Sequence, residues 1–348
     1  MRLLRYILIE LAIVACALVG AGVASERLAS AVIDGWEERV ERLRAEAAAL
    51  PPHGEISEPP EPTITDEPTG TFLGMSDELL LDRVRRQPIV RVKLNKGGSS
   101  LSFRVDFADG SRAAFKPAQT NLQTVPRKEV AAYRLNRLLG LGAVPPATGR
   151  SVSREDLLSK LHPESVAALP RIRAETIFNP MGKTAGVFSY WIPEIIDSGL
   201  DSGEGLRACV VWLTHGTDIP PDKRPLAAQV SDLILFDFLT ANPDRYSGGN
   251  IKMSPDGSQL YFMDNTMSFF LNPDGHPRNR QQLDRTQRFT RHVYRALARV
   301  TVPALERLMS GGDDSEGVLT PSEIRAVVAR REVAQRHIEA LAGFYGES

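Results

Sequence analysis

The chain has 348 residues, 42% of them apolar and 24% charged, with a formal net charge of -1. That composition describes a globular protein able to bury a core, and the balanced charge excludes the broad basic surface that DNA or RNA binding requires. Cys16 and Cys209 offer no credible internal disulfide, so packing must hold the fold.

In chain order, Arg2 and Arg5 precede an apolar run over residues 6–24 broken only by Glu10. A basic start followed by roughly 18 mostly apolar residues reads as a signal anchor or signal peptide spanning 1–25. The positive-inside tendency favours a cytoplasmic N-terminus and an exported domain, membrane-anchored or secreted. Residues 26–50 place Leu28, Val32, Trp36, Val40 and Leu43 on one helical face, an amphipathic stalk. The stretch 51–70 then holds six prolines, five acidic residues and no lysine or arginine. It cannot bury enough apolar surface to order itself, so 51–73 reads as an extended linker.

The remaining chain divides into a strand-rich half, 74–193, and a helical half, 194–348. Residues 89–94 and 101–107 alternate as strands, joined by a turn through Gly97 and Gly98 whose backbone N–H groups suit phosphate oxygens. A third strand, 112–116, ends on Lys116. Pro126 then opens a helical pattern that starts at Glu129 and stops at Gly140. A strand lysine supported by a glutamate early on the next helix is how kinases grip the α- and β-phosphates of ATP. Further on, residues 187–193 occupy the position of a strand leading to a hinge. Tyr190 and Trp191 there fit an adenine site, or equally core packing.

Residues 226–240 are apolar nearly all round and predict a buried helix. Within it Asp237 needs a partner, a cation such as Arg245 or an N–H donor. The turn-rich loop 241–250 carries Asp244 and Asn250. Two short strands, 250–253 and 259–263, then deliver Asp264 and Asn265. Phosphoryl transfer needs a carboxylate for the attacking hydroxyl, the role of Asp244. It also needs oxygen ligands for the charge-neutralising metal, the role of Asp264 assisted by Asn250. Near the end, 312–323 half-matches a calcium loop through Asp314, Gly317, Leu319 and Glu323. The same stretch also reads as a plain connector with a helix-start signal at Thr320 to Glu323.

The runs KEVAAYRLNRLLGLGAVPPATGR and FDFLTANPDR…YFMDN resemble the Four-jointed and Golgi casein kinase family of secretory-pathway kinases. The resemblance covers about residues 90–150 and 226–270. It implies an α+β, bilobal, atypical protein-kinase-like fold with a strand-rich N-lobe and a helical C-lobe. It also implies ATP as phosphate donor, Mn²⁺ or Mg²⁺ as metal, and a protein or glycan hydroxyl as acceptor. On matching positions it makes Lys116 and Glu129 ATP-binding, Asp244 the base and Asp264 a metal ligand. The chain departs from the family in lacking disulfides. Asn250 lies six residues after Asp244, where the protein-kinase loop has five. Two alternatives stay open: a nucleotide-binding pseudokinase scaffold tethered to the membrane, and a lipid acceptor.

Overall fold

The protein is described by a computed structural model that covers residues 70–246, 249–310 and 318–346. The segments read as anchor and stalk, with most of the linker, lie outside the described residues. Residues 60–339 form one compact unit, and 1–59 with 340–348 a second, of which only 340–346 at the end of the last helix are described. Among the described residues no helix is long and apolar enough to cross a membrane.

Order begins earlier than the composition suggests. Strands β1 (Thr71–Phe72) and β2 (Met75–Ser76) pair as a hairpin. Leu73 and Gly74, both at positive φ, turn it. Phe72 is buried and meets the Tyr261 ring edge-on at 5.8 Å. Of the last residues of the expected linker, Phe72 therefore belongs to the core while its neighbours Thr71 and Leu73 stay exposed, because one aromatic side chain carries a large apolar area to bury.

Helix α1 (Asp77–Arg86), N-capped by Ser76, leads into the main sheet. Strands β3 (Ile89–Leu94), β4 (Phe103–Phe107) and β5 (Arg112–Pro117) form an antiparallel meander. Helix α2 (Arg127–Leu138) comes next, then β6 (Ala147–Ser153), helices α3 (Arg154–Ser159) and α4 (Leu169–Glu175), and β7 (Lys183–Tyr190). The five strands run in the order β3-β4-β5-β7-β6, all antiparallel. Alternation decides what each face packs against. Phe115 and Phe188 stack at 4.4 Å on one face, over Leu80 and Val84 of α1 and Leu157 of α3. On the opposite face Val187 joins the α2 residues Val130, Ala131 and Leu135 in a second core.

The helical half hangs on that second core. Strand β8 (Ile196–Asp197) and helix α5 (Gly203–Trp212) precede helix α6 (Arg224–Thr240). The second half of α6 is buried on every side, as its apolar sequence requires. β9 (Ile251–Met253) and β10 (Leu260–Phe262) make a three-stranded sheet with β8. Among the described residues four helices complete the half: α7 (Pro277–Arg285), α8 (Arg291–Leu297), α9 (Val302–Met309) and α10 (Pro321–Tyr345). Cys209 is a buried free thiol.

Candidate active site

The end of α6 sets the position of the acidic loop. Ala241 adopts the left-handed conformation at φ 50°. Its N–H bonds the Phe238 carbonyl, and Asn242 N–H reaches back to the Asp237 carbonyl at 3.1 Å. This is a Schellman termination, and it turns the chain sharply toward Asp244. Asn242, fully buried, accepts from Asp244 N–H at 3.1 Å through Oδ1 and donates through Nδ2 to the Asp264 carbonyl at 3.3 Å. One side chain thus ties the backbones of both candidate acids together.

Arg245 completes the anchoring. Its Nε lies 3.0 and 3.1 Å from the two Asp237 carboxylate oxygens, Nη1 donates to the carbonyls of Asn250 and Met263, and Nη2 donates to Asn265 Oδ1 at 2.7 Å. The pairing expected for Asp237 is present. Burial pushes its carboxyl up to about 6, with the Arg245 charge and hydrogen bonds opposing.

Lys116, next to last in β5, lies on the sheet face that α2 covers, and its ammonium meets two carboxylates: Glu129 Oε1 at 2.9 Å and Asp264 Oδ1 at 2.6 Å. Burial works against the lysine charge, but the two carboxylates outweigh it and hold the pKa above its ordinary value. Burial likewise would raise Asp264; the Lys116 charge and hydrogen bonds from Lys116 and Thr266 hold it below the usual carboxylate range. Asp264 sits at φ 51°, a backbone strain that clusters at functional sites, and its side chain is 36% exposed.

Gly97 and Gly98 both have positive φ and form the turn beyond the paired residues Leu94 and Phe103. Phe103 pairs with Phe115, so this turn projects from the sheet end that carries Lys116. Gln119 clamps it by accepting from Leu101 N–H and donating to Leu101 O. Tyr190 pairs with Ala113 and packs with Phe188 in the core on the far side of the sheet from Lys116. Its ring lies in that core, in line with the core-packing alternative of its two sequence readings. Trp191 comes next, half-buried at the strand end, with its N–H on Arg112 O at 3.1 Å.

Asn250 Nδ2 donates to the Asp244 carbonyl at 2.9 Å and to Asp244 Oδ2 at 3.3 Å. The side chain thus stands beside Asp244 in spite of its one-residue offset. Among the described residues no group of three His, Cys, Asp or Glu side chains could hold a metal by itself. One or two carboxylates completed by phosphate oxygens is the usual shell for Mg²⁺, and the hard oxygens of Asp264 and Asn250 fit such a cation. The calcium-loop reading fails at Glu323, which accepts from Thr320 N–H as a capping box and pairs with Arg127 at 2.8 Å. Asp314 and Gly317 lie outside the described residues. Asn242, Thr266 and the bridging role of Asn265 carry no signal in the sequence pattern. Asn242 stands in a turn-forming run, which predicts a loop and says nothing of its partners.

No family model matches the chain. It is 34% identical over 89 residues to the human extracellular serine/threonine protein kinase FAM20C, a match that covers 22% of this chain and only 15% of that protein. Among solved structures, the Golgi casein kinase with Mn/ADP bound superposes with a TM-score of 0.59 at 16% identity, covering 78% of this chain and 77% of that one. Hydra Fam20 with sugar superposes with a TM-score of 0.58 at 18% identity, covering 77% and 89%. In local sequence and in its bilobal, atypical protein-kinase-like fold, the chain matches the Fam20/Golgi casein kinase family.

Proposed function

We propose that this protein is a kinase that transfers the γ-phosphoryl of ATP to an alcohol hydroxyl of a protein or glycan, with Mn²⁺ or Mg²⁺ as cofactor. The observation that carries the reading is the Lys116–Glu129–Asp264 ion triad, joined through Asn242 to Asp244. The likeness to a kinase solved with Mn/ADP bound supports the same choice of nucleotide and metal. Hydra Fam20, solved with sugar, keeps a glycan among the acceptors.

In this reading Lys116, oriented by Glu129, grips phosphate oxygens, and the backbone N–H groups at Gly97 and Gly98 cover them. Asp244 orients the acceptor hydroxyl and takes its proton as the acceptor oxygen bonds to phosphorus and the bond to ADP breaks. Asp264 and Asn250 would hold the metal, which when bound neutralises charge on the phosphates. The basic start and apolar run of residues 1–25 support delivery to the secretory pathway, with the kinase domain extracytoplasmic and tethered or secreted.

The deciding experiment is a thermal-shift titration of the full chain with ATP and Mn²⁺, alongside transfer of labelled γ-phosphate. Metal-dependent stabilisation that vanishes in Asp264→Ala, with labelled acceptor in the wild type, supports the kinase. Stabilisation with no transferred label makes the protein a nucleotide-binding scaffold.

A further inference from the structure

Arg330, on α10, is fully buried, yet no carboxylate among the described residues pairs with it. Its Nε donates to the Leu239 carbonyl at 2.7 Å, and its Nη1 to the carbonyls of Phe270 and Asn272, each at 2.8 Å. Nη2 is buried with no hydrogen-bond partner. A buried cation without a counter-ion is costly, and burial pushes this guanidinium down to about 10, still charged at neutral pH. Apolar residues of similar volume commonly replace buried charges with no loss of stability, so packing alone does not account for the side chain.

Its three acceptors share a location. Leu239 lies in the last turn of α6, five residues before Asp244, and its carbonyl is one that the helix cannot satisfy. The negative end of the α6 dipole also offsets part of the buried charge. Phe270 and Asn272 stand six and eight residues after Asp264. Between the two segments, Phe269 N–H bonds the Thr240 carbonyl.

We propose that Arg330 is a positioning residue for phosphoryl transfer. Its planar fork holds the exit of α6, which delivers Asp244, at a set spacing from the segment beyond Asp264. The inference rests on the kinase reading of that site. A lysine keeps the charge but cannot span three carbonyls in one plane. Lys116 and Glu129 lie on β5 and α2, and none of the three carbonyls that Arg330 holds belongs to either element, so nucleotide grip is expected to survive the loss of alignment.

The test compares full-length wild type, Arg330→Lys and Arg330→Met, assayed well below the lowest melting temperature. One arm measures kcat and KM for ATP turnover with Mn²⁺. The other measures hydrogen exchange at Ala241, Asn242 and Phe269. Expected for the lysine variant are a kcat loss of about tenfold or more, a KM for ATP within about threefold, and faster exchange at all three amides. If the methionine variant does not fold, the lysine variant decides. Unchanged exchange, or kcat per folded molecule within about twofold of wild type, overturns the proposal. A wild type that turns over no ATP removes the kinase reading instead, and the exchange arm still judges the clamp.

Discussion

Asn265 donates through Nδ2 to Glu129 Oε2 at 3.3 Å and accepts from Arg245 Nη2 at 2.7 Å. A continuous polar chain therefore runs Asp237–Arg245–Asn265–Glu129–Lys116–Asp264, from the buried helix α6 across to strand β5 and back to the hairpin. Asn265→Ala strands Arg245 Nη2 and one Glu129 oxygen, both buried. The expected loss is on the order of 2 kcal/mol of stability by urea denaturation. The KM for ATP should also rise, because Glu129 then holds Lys116 less firmly.

Asp264→Asn isolates charge from backbone strain, since asparagine tolerates the left-handed conformation that alanine resists. The folded variant is expected to lose the Mn²⁺-dependent thermal shift with ATP. Turnover is expected to fall about 10²-fold or more. Unaltered metal dependence in calorimetry would assign the metal to other ligands.

Arg127 and Glu323 join the first turn of α2, two residues from Glu129, to the start of α10. Arg127 also donates to Val318 O at 2.7 Å, so it has a second reason to stay in place. Burial would raise the Glu323 carboxyl, but hydrogen bonds from Arg127 and Thr320 hold it below its ordinary value. A carboxyl lowered in this way contributes stability above its unfolded pKa near 4.5, and that stability is lost as pH falls through the lower folded value. Glu323→Gln should therefore lower the melting temperature at neutral pH, and its difference from wild type should shrink as the pH falls below the unfolded value. With a partner that is 39% exposed, the effect should stay at about 1 kcal/mol.

Asp232 titrates the other way. Burial pushes it up to about 6 against the Thr290 hydrogen bond and the His292 charge. A carboxyl with a raised folded pKa binds its proton more tightly when folded, so stability falls as pH climbs from about 4 through 6. Asp232→Asn can keep the hydroxyl bond from Thr290 and removes the penalty. Thermal unfolding from about pH 4 to 8 should show a flatter profile, with a higher melting temperature above about pH 6.

Gly186 faces Pro117 on β5, and a Cβ there would sit 2.4 Å from the Phe115 ring and 2.6 Å from the Lys116 carbonyl. Gly186→Ala must displace the strand that aims Lys116. The expected outcome is a lowered melting temperature together with a weaker ATP-induced shift, and an unchanged shift would show that β5 absorbs the clash elsewhere.

Much of the fold was legible in the chain because local rules govern it. Alternation over 89–94 and 112–116 predicts strands that the structure places at Ile89–Leu94 and Arg112–Pro117. The run before Asp244, apolar nearly all round, predicts the buried helix, and Asp237 in its fully buried half demands the cation it finds in Arg245. The order of Lys116, Glu129, Asp244 and Asp264 needs only motif spacing, so the family likeness could be read without coordinates. Strand β6, ATGRSVS, carries few β-formers and is not predicted. It forms because β7 offers it a complete hydrogen-bonding edge.

The chain alone specifies which side chains are chemically able and which local elements carry them. Which of those side chains meet is settled by packing. Tyr190 has the composition of a nucleotide contact, but its register opposite Ala113 sends the ring into the far core. Asn242 and Arg330 look like an ordinary turn residue and an ordinary helical arginine. Their roles arise from carbonyls 22 to 91 residues away in the chain. Burial leaves a polar group no water to bond, so it must take whatever partner the fold brings to it, and that partner cannot be read from spacing along the chain.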